Sequence, residues 1–184
     1  MCSIWRSDTI QTAVFIRGLP CTGKSTIANF LQETIKCTVI DPDLISKMDL
    51  CDFIFKNPKL IFLRNTKLLR FRYNLAKAIY SIKCGQSIAW CQMFSSVAGL
   101  GYTIKTLIKN CDPKIRLVVI NLICDQAILI KRLENKTWIT KEKLSQLAFS
   151  MDNVTGLPEN IPIYTLNTKE NLEVTKKAVL RIMG

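Results

Sequence analysis

Residues 18 to 25 read Gly18-Leu19-Pro20-Cys21-Thr22-Gly23-Lys24-Ser25, and this octapeptide restricts the fold more than any other part of the chain. Its spacing, G-x-x-x-x-G-K-[ST], is that of a loop whose backbone wraps a phosphate chain. Gly18 and Gly23 can take backbone angles closed to other residues and hold no side chain against the anion. The N–H groups between them turn inward as an anion nest. Lys24 meets the β- and γ-phosphates as a point charge, and Ser25 offers its hydroxyl to Mg²⁺. Such a loop needs a strand before it and a helix after it. Upstream, Thr12-Ala13-Val14-Phe15-Ile16 is a short apolar run suited to a buried parallel strand. Downstream, Ile27, Phe30 and Leu31 recur at helical spacing. The phosphate would then rest on a helix N-terminus. The predicted nucleotide-binding set is Gly18, Cys21, Thr22, Gly23, Lys24, Ser25 and Thr26.

Beyond the loop the chain alternates strands with helices. Thr38-Val39-Ile40 is a short strand ending at Asp41-Pro42-Asp43, and a helical insert over 44–85 follows. Within it, Pro58 to Lys83 reads as one helix, because Ile61, Leu68, Phe71, Leu75, Ala78, Ile79 and Ile82 share a face at 100° per residue. Gly85 stops that helix. Further strands are predicted over Gln86–Gln92, Ile115–Ile123 and Ile161–Leu166, with helices near Tyr102–Lys109, Asp125–Glu134 and Thr140–Met151. Asn167-Thr168-Lys169-Glu170 reads as a capping box before a closing helix to Ile182. Near-continuous apolar strands between amphipathic helices imply an α/β fold of three layers, with a five-stranded, mostly parallel sheet flanked by helices. No linker, repeat or low-complexity tract interrupts residues 1–184, so a single domain is expected. Ligands in such folds bind at the carboxyl ends of the strands. The loop at Gly18, the Asp41–Asp43 turn and the Cys91–Phe94 segment should therefore meet in one cleft.

Composition excludes several chemistries. The chain has no histidine, which removes Ser-His-Asp, Cys-His and His-metal mechanisms and leaves a carboxylate as the general base. Its eight cysteines are scattered without a C-x-x-C pair, so neither a disulfide framework nor a metal-ligand spacing is present. The longest apolar stretch, Leu117 to Ile130, is broken by Asn121, Asp125 and Gln126 and is too short and polar to span a bilayer. Met1 to Ile10 lacks a signal-peptide core. The expectation is a cytoplasmic protein with no membrane partner. The net charge of +12 admits two explanations, a lysine-rich solvated surface or a nucleic-acid partner. It does not decide between them, and oligomeric state is not legible.

Asp43, after the second predicted strand, is the leading candidate to accept a proton from a hydroxyl that attacks phosphorus. Asp41 competes for a place in the cleft, since either carboxylate can face inward across Pro42. The plain alternative is that Asp41-Pro42-Asp43 turns the chain and caps a helix from Leu44.

The loop with its GKST ending, the Asp after the second strand and the order of elements resemble the small P-loop kinases. Among these the chain is most similar to the group holding polynucleotide kinases, chloramphenicol phosphotransferase and zeta-toxin-type kinases. The specific motifs lie in the first 45 or so residues. The resemblance implies transfer of the γ-phosphate of ATP to a hydroxyl with Mg²⁺, Lys24 and Ser25 binding phosphate and metal and Asp43 acting as base. Two positions depart from the group. Ser46 stands where an Arg often follows the base, and the third strand ends Trp90-Cys91-Gln92-Met93 without the Asp that assists the metal. Mg²⁺ would then be held by Ser25, waters and Asp41.

Cationic residues supply candidates for charge stabilisation. Arg64 lies on the apolar face of the long predicted helix, either as an ion pair with Asp49 or Asp52 or as a substrate clamp. Arg132 precedes a polar stretch at about 132–140 that matches the lid of small kinases, where it would stabilise charge on the transferring phosphoryl group. Lys59, Lys67, Arg70, Asn74 and Lys77 form a stripe beside the apolar face. The leading functional expectation is a kinase acting on a small-molecule hydroxyl such as a nucleoside or sugar nucleotide, since no aromatic stacking platform stands out. The alternatives are a 5′-hydroxyl polynucleotide kinase and a nucleotide-binding switch with little or no phosphotransfer.

Overall fold

The computed structural model describes residues 10–63, 65–111, 115–134, 139–151, 157, 160–169 and 171–184. Five strands form one sheet: β1 (Thr12–Gly18), β2 (Thr38–Ile40), β3 (Ile88–Cys91), β4 (Arg116–Ile123) and β5 (Ile163–Asn167). Their spatial order is β2-β3-β1-β4-β5, and every neighbouring pair is parallel. β1 lies at the centre, with all seven of its residues buried. Phe15 is in register with Trp90 on one side and Val119 on the other.

Alternation along the strands divides the core between the two faces. Ala13, Phe15, Trp90 and Val119 point one way and pack beneath α3 (Thr66–Lys83) and α4 (Val97–Asn110), through Ala78, Ile82, Leu100, Ile104 and Leu107. Val14, Ile16, Ala89, Cys91 and Val118 point the other way. They meet Ile27, Ala28 and Leu31 of the helix after the loop, α1 (Lys24–Ile35), and Val179 of the last helix, α7 (Leu172–Met183). A smaller cluster joins Leu129 and Leu133 of α5 (Gln126–Leu133) to Leu144 of α6 (Lys141–Phe149), with Leu19 and Cys21 of the loop against it. The phosphate-binding loop is thus held by packing from outside the sheet as well as by β1. Among the described residues no helix is long and apolar enough to cross a membrane.

The insert differs from its expected form. Pro58 to Lys83 is not one helix. α2 (Lys47–Lys56) stops ahead of Pro58, Pro58–Phe62 forms a 3-10 turn, and α3 begins only at Thr66. The apolar period continues through the break, which is why the sequence reads as unbroken. Local hydrogen bonding overrides it: the Asn65 side chain accepts from the N–H groups of Lys67 and Leu68, at 3.0 and 3.1 Å, and starts the helix there. Ile61, ahead of the cap, is 68% exposed and contributes nothing to the buried face. α2 carries a signal that the sequence reading passed over. Ser46 accepts from the Asp49 N–H and Asp49 takes the Ser46 N–H, a reciprocal capping box. Asp49 is held by this cap, and its pKa is lowered chiefly by the Ser46 hydrogen bonds.

Other boundaries shift by a few residues. α4 extends back to Val97 because Ser96 caps it, and β5 runs on to Asn167. The closing helix is capped by Asn171, whose side chain accepts from the Glu173 N–H, rather than by Asn167-Thr168-Lys169-Glu170. Glu170, Arg64 and residues 135–138 of the expected lid lie outside the described residues. The basic stripe on α3 is not simply solvated: Arg70 donates to the Pro42 carbonyl at 3.1 Å, Lys77 to that of Val39 at 3.3 Å, and Asn74 is buried. These bonds dock α3 against the end of β2. Asn65→Ala should cost about 1 kcal/mol in urea unfolding if the helix starts at Thr66. A continuous helix through position 65 would instead be unaffected or slightly stabilised by alanine.

Candidate active site

β1 ends in a backbone conformation that only glycine tolerates. Gly18 has φ +153°, and a Cβ there would lie 2.5 Å from the Leu122 carbonyl oxygen and 2.8 Å from Thr22 Oγ1. Gly23 has φ +94° and forms the left-handed entry to α1. Cys21, between them, is also left-handed at φ +65°. The loop is braced internally: Thr22 is fully buried and its hydroxyl donates to the Leu19 carbonyl at 2.9 Å. The Lys24 ammonium folds back onto that carbonyl at 2.8 Å. The result is a cradle open to an anion at the N-terminus of a 12-residue helix.

A cleft of about 500 Å³ opens over this cradle. It is lined by Cys21, Gly23, Lys24, Ser25 and Thr26, and by Asp41, Asp43, Gln92, Met93 and Arg132. The expected meeting of loop, Asp41–Asp43 turn and third-strand end is therefore present. Gly18 and Thr22 lie beneath the lining and shape it. Arg64 belongs to none of the described surface.

The two candidate carboxylates are distinguished by their contacts. Asp41 is buried and accepts three hydrogen bonds. Ser25 Oγ donates to it at 3.0 Å, Cys91 Sγ at 3.2 Å and the Asp43 N–H at 2.9 Å. Asp41 thereby caps the short 3-10 turn Pro42–Leu44, so it has the expected capping role alongside its place in the cleft. No helix starts at Leu44, however: the next one begins at Lys47 under the Ser46 cap. Asp43 sits two residues further on, exposed on the cleft wall and close enough to influence Lys24. Cys91 stands at the third-strand position where the sequence offers no carboxylate. Burial pushes its thiol far up, and the neighbouring Asp41 adds to the effect, so it stays protonated and serves as a donor.

Arg132 reaches across from α5. Its guanidinium donates to the Thr168 carbonyl at 2.6 Å and to the Cys21 carbonyl at 3.3 Å, tying the loop to the connection after β5. Arg17 is a residue that sequence reading missed. It is fully buried at the end of β1, and its Nε donates to the Phe94 carbonyl at 2.8 Å. A buried arginine directly before the loop was the available signal. Ser25 and Asp41 together present two oxygens at the cleft floor, a donor set suited to a hard cation such as Mg²⁺.

No family model matches the chain, and no curated protein matches its sequence. The fold has counterparts among solved structures. A gluconokinase from Sinorhizobium meliloti superposes with a TM-score of 0.62 at 12% identity, over 94% of this chain and 91% of that one. A sugar kinase from Janibacter gives 0.62 at 13% identity, covering 94% of both chains. A shikimate kinase from Bacteroides thetaiotaomicron gives 0.58 at 12% identity, over 94% of this chain and 98% of that one.

Burial lowers the pKa of Lys24 below the ordinary lysine value, an effect that the nearby carboxylates Asp43 and Asp41 only partly offset. A phosphate chain against the ammonium would restore the proton. In alkaline solution, nucleotide binding should therefore take up a proton and weaken as pH rises past the free-site pKa. Calorimetry in buffers of different ionisation enthalpy reads this uptake, and Lys24→Met should abolish it. With its central β1, glycine-ended loop and strand order β2-β3-β1-β4-β5, the chain has the P-loop kinase fold.

Proposed function

We infer that the protein is an ATP-dependent kinase that transfers the γ-phosphate to a hydroxyl of a small molecule. The observation that carries this reading is the placement of an exposed carboxylate, Asp43, on the same cleft as Lys24, Ser25 and the helix N-terminus. In that reading the acceptor oxygen forms a bond to the γ-phosphorus while the bond to the β-phosphate oxygen breaks. The electron pair leaves with ADP. The hydroxyl proton passes to Asp43.

Each remaining group has a part in positioning or charge. The loop N–H groups and Lys24 hold the phosphates, and Arg132 lends positive charge to the same cleft. Ser25 and Asp41 would hold Mg²⁺, which would supply positive charge to the phosphates. Cys91, through its bond to Asp41, orients that carboxylate. The structural neighbours are named as kinases of gluconate, a sugar and shikimate, which favours a small acceptor over a polynucleotide.

Transfer from γ-labelled ATP to a metabolite extract tests the reading. Asp43→Asn should lower kcat by about 10²-fold or more while leaving nucleotide affinity unchanged. Transfer confined to 5′-hydroxyl oligomers would replace the small acceptor with nucleic acid. Nucleotide binding without any labelled product would make the protein a switch and overturn the kinase reading.

A further inference from the structure

Next to the nucleotide cleft lies a second cavity of about 640 Å³ between α3 and α4. The two cavities share Gln92 and Met93, so a molecule in the second can present a group to the first. The walls are Leu68, Phe71, Leu75, Met93, Phe94 and Tyr102. The aromatic rings belong to one packed series: Phe71 lies 6.2 Å from both Trp90 and Tyr102, and Phe94 lies 5.9 Å from Trp90. The sequence shows no stacking platform because these rings come from three separate elements.

The wall is also held in a conformation that a bulky residue rarely adopts. Phe94 has φ +43°, and its carbonyl is clamped by the buried Arg17 Nε. Strain of this kind persists where surrounding structure enforces it, and it concentrates at ligand sites. Apolar surface makes up the larger part of the lining, and the polar groups are those of Arg72, Gln92, Ser95, Ser96 and the Tyr102 phenol. Trp90 Nε1 donates to Gln92 Oε1 at 3.1 Å, which leaves the Gln92 amide N–H₂ as a donor at the junction with the nucleotide cleft. Ser95 and Ser96 line one side at the start of α4, the positive end of that helix, and Arg72 adds an exposed cation.

We propose that this cavity takes the phosphate acceptor, and that the acceptor is a planar, largely apolar hydroxyl compound bearing one anionic group. A polyol would set more of its hydroxyls against rings and methyl groups than a flat apolar ring system would. A ring system stacks on Phe71 and Phe94, its hydroxyl meets Gln92 beside Asp43, and its anion faces Arg72 and the start of α4. The assignment rests on the kinase reading for catalysis, while occupancy of the cavity stands on its walls alone.

The test uses 6-(hydroxymethyl)-2-naphthoate, its neutral counterpart 2-naphthalenemethanol, gluconate and a 5′-hydroxyl oligonucleotide. Binding is read by calorimetry and transfer by γ-labelled ATP. The naphthoate should bind and be phosphorylated, with the neutral alcohol weaker by about tenfold, the scale of one charged hydrogen bond at an exposed site. Arg72→Gln should remove that difference. Gly99 lines the cavity and a Cβ there meets no atom within 4 Å, so Gly99→Leu fits without a clash at Cβ and should narrow the cavity and weaken naphthoate binding at unchanged nucleotide affinity. Naphthoate binding without transfer would keep the cavity assignment and sink the kinase reading. Transfer to gluconate or to the oligonucleotide in preference, or naphthoate binding undiminished by Gly99→Leu, would overturn the assignment.

Discussion

The site depends on the approach of Gly18 to Leu122. The central strand is buried on both faces and ends so close to its neighbour that no Cβ fits between them. This contact turns the chain sharply at the carboxyl edge of the sheet and projects the loop over it. Everything downstream inherits the geometry: α1 starts at the loop, β2 returns beside β3, and the Asp41–Asp43 turn arrives opposite Lys24. A larger residue at position 18 would displace either β4 or the loop.

Asp41 is the electrostatic centre of the cleft. One buried carboxylate accepts from the Ser25 hydroxyl, the Cys91 thiol and the Asp43 backbone. Those bonds satisfy the buried group and fix its direction. They also set the two aspartates apart: Asp41 is buried and committed to three donors, whereas Asp43 is exposed on the cleft wall. The protonated Cys91 matters here. A carboxylate in its place would set two like charges in a buried space.

Much of the fold was legible in the chain. The octapeptide between an apolar strand and a helical run, together with alternating elements, led to the parallel sheet and its cleft. The insert was less legible, because Ile61 and Leu68 keep the helical period across a break made by Pro58 and the Asn65 cap. Capping is a matter of one side chain and two N–H groups, and hydrophobic period does not report it. The Ser46–Asp49 box is likewise a local hydrogen-bond signal, independent of the hydrophobic period.

The sequence by itself determined the loop, the helix dipole under it and the strand that carries it, because each rests on neighbours within a few residues. It also supplied Asp43 and Asp41 as a pair. Tertiary structure alone decided how the pair differs in burial and contacts, because Ser25 and Cys91 reach Asp41 only when β1, β2 and β3 lie side by side. It also built the aromatic wall from Phe71, Phe94 and Tyr102, and clamped Phe94 with Arg17 across 77 residues of chain. Period and motif describe short-range order, whereas these contacts arise from the packing of separate elements on one sheet.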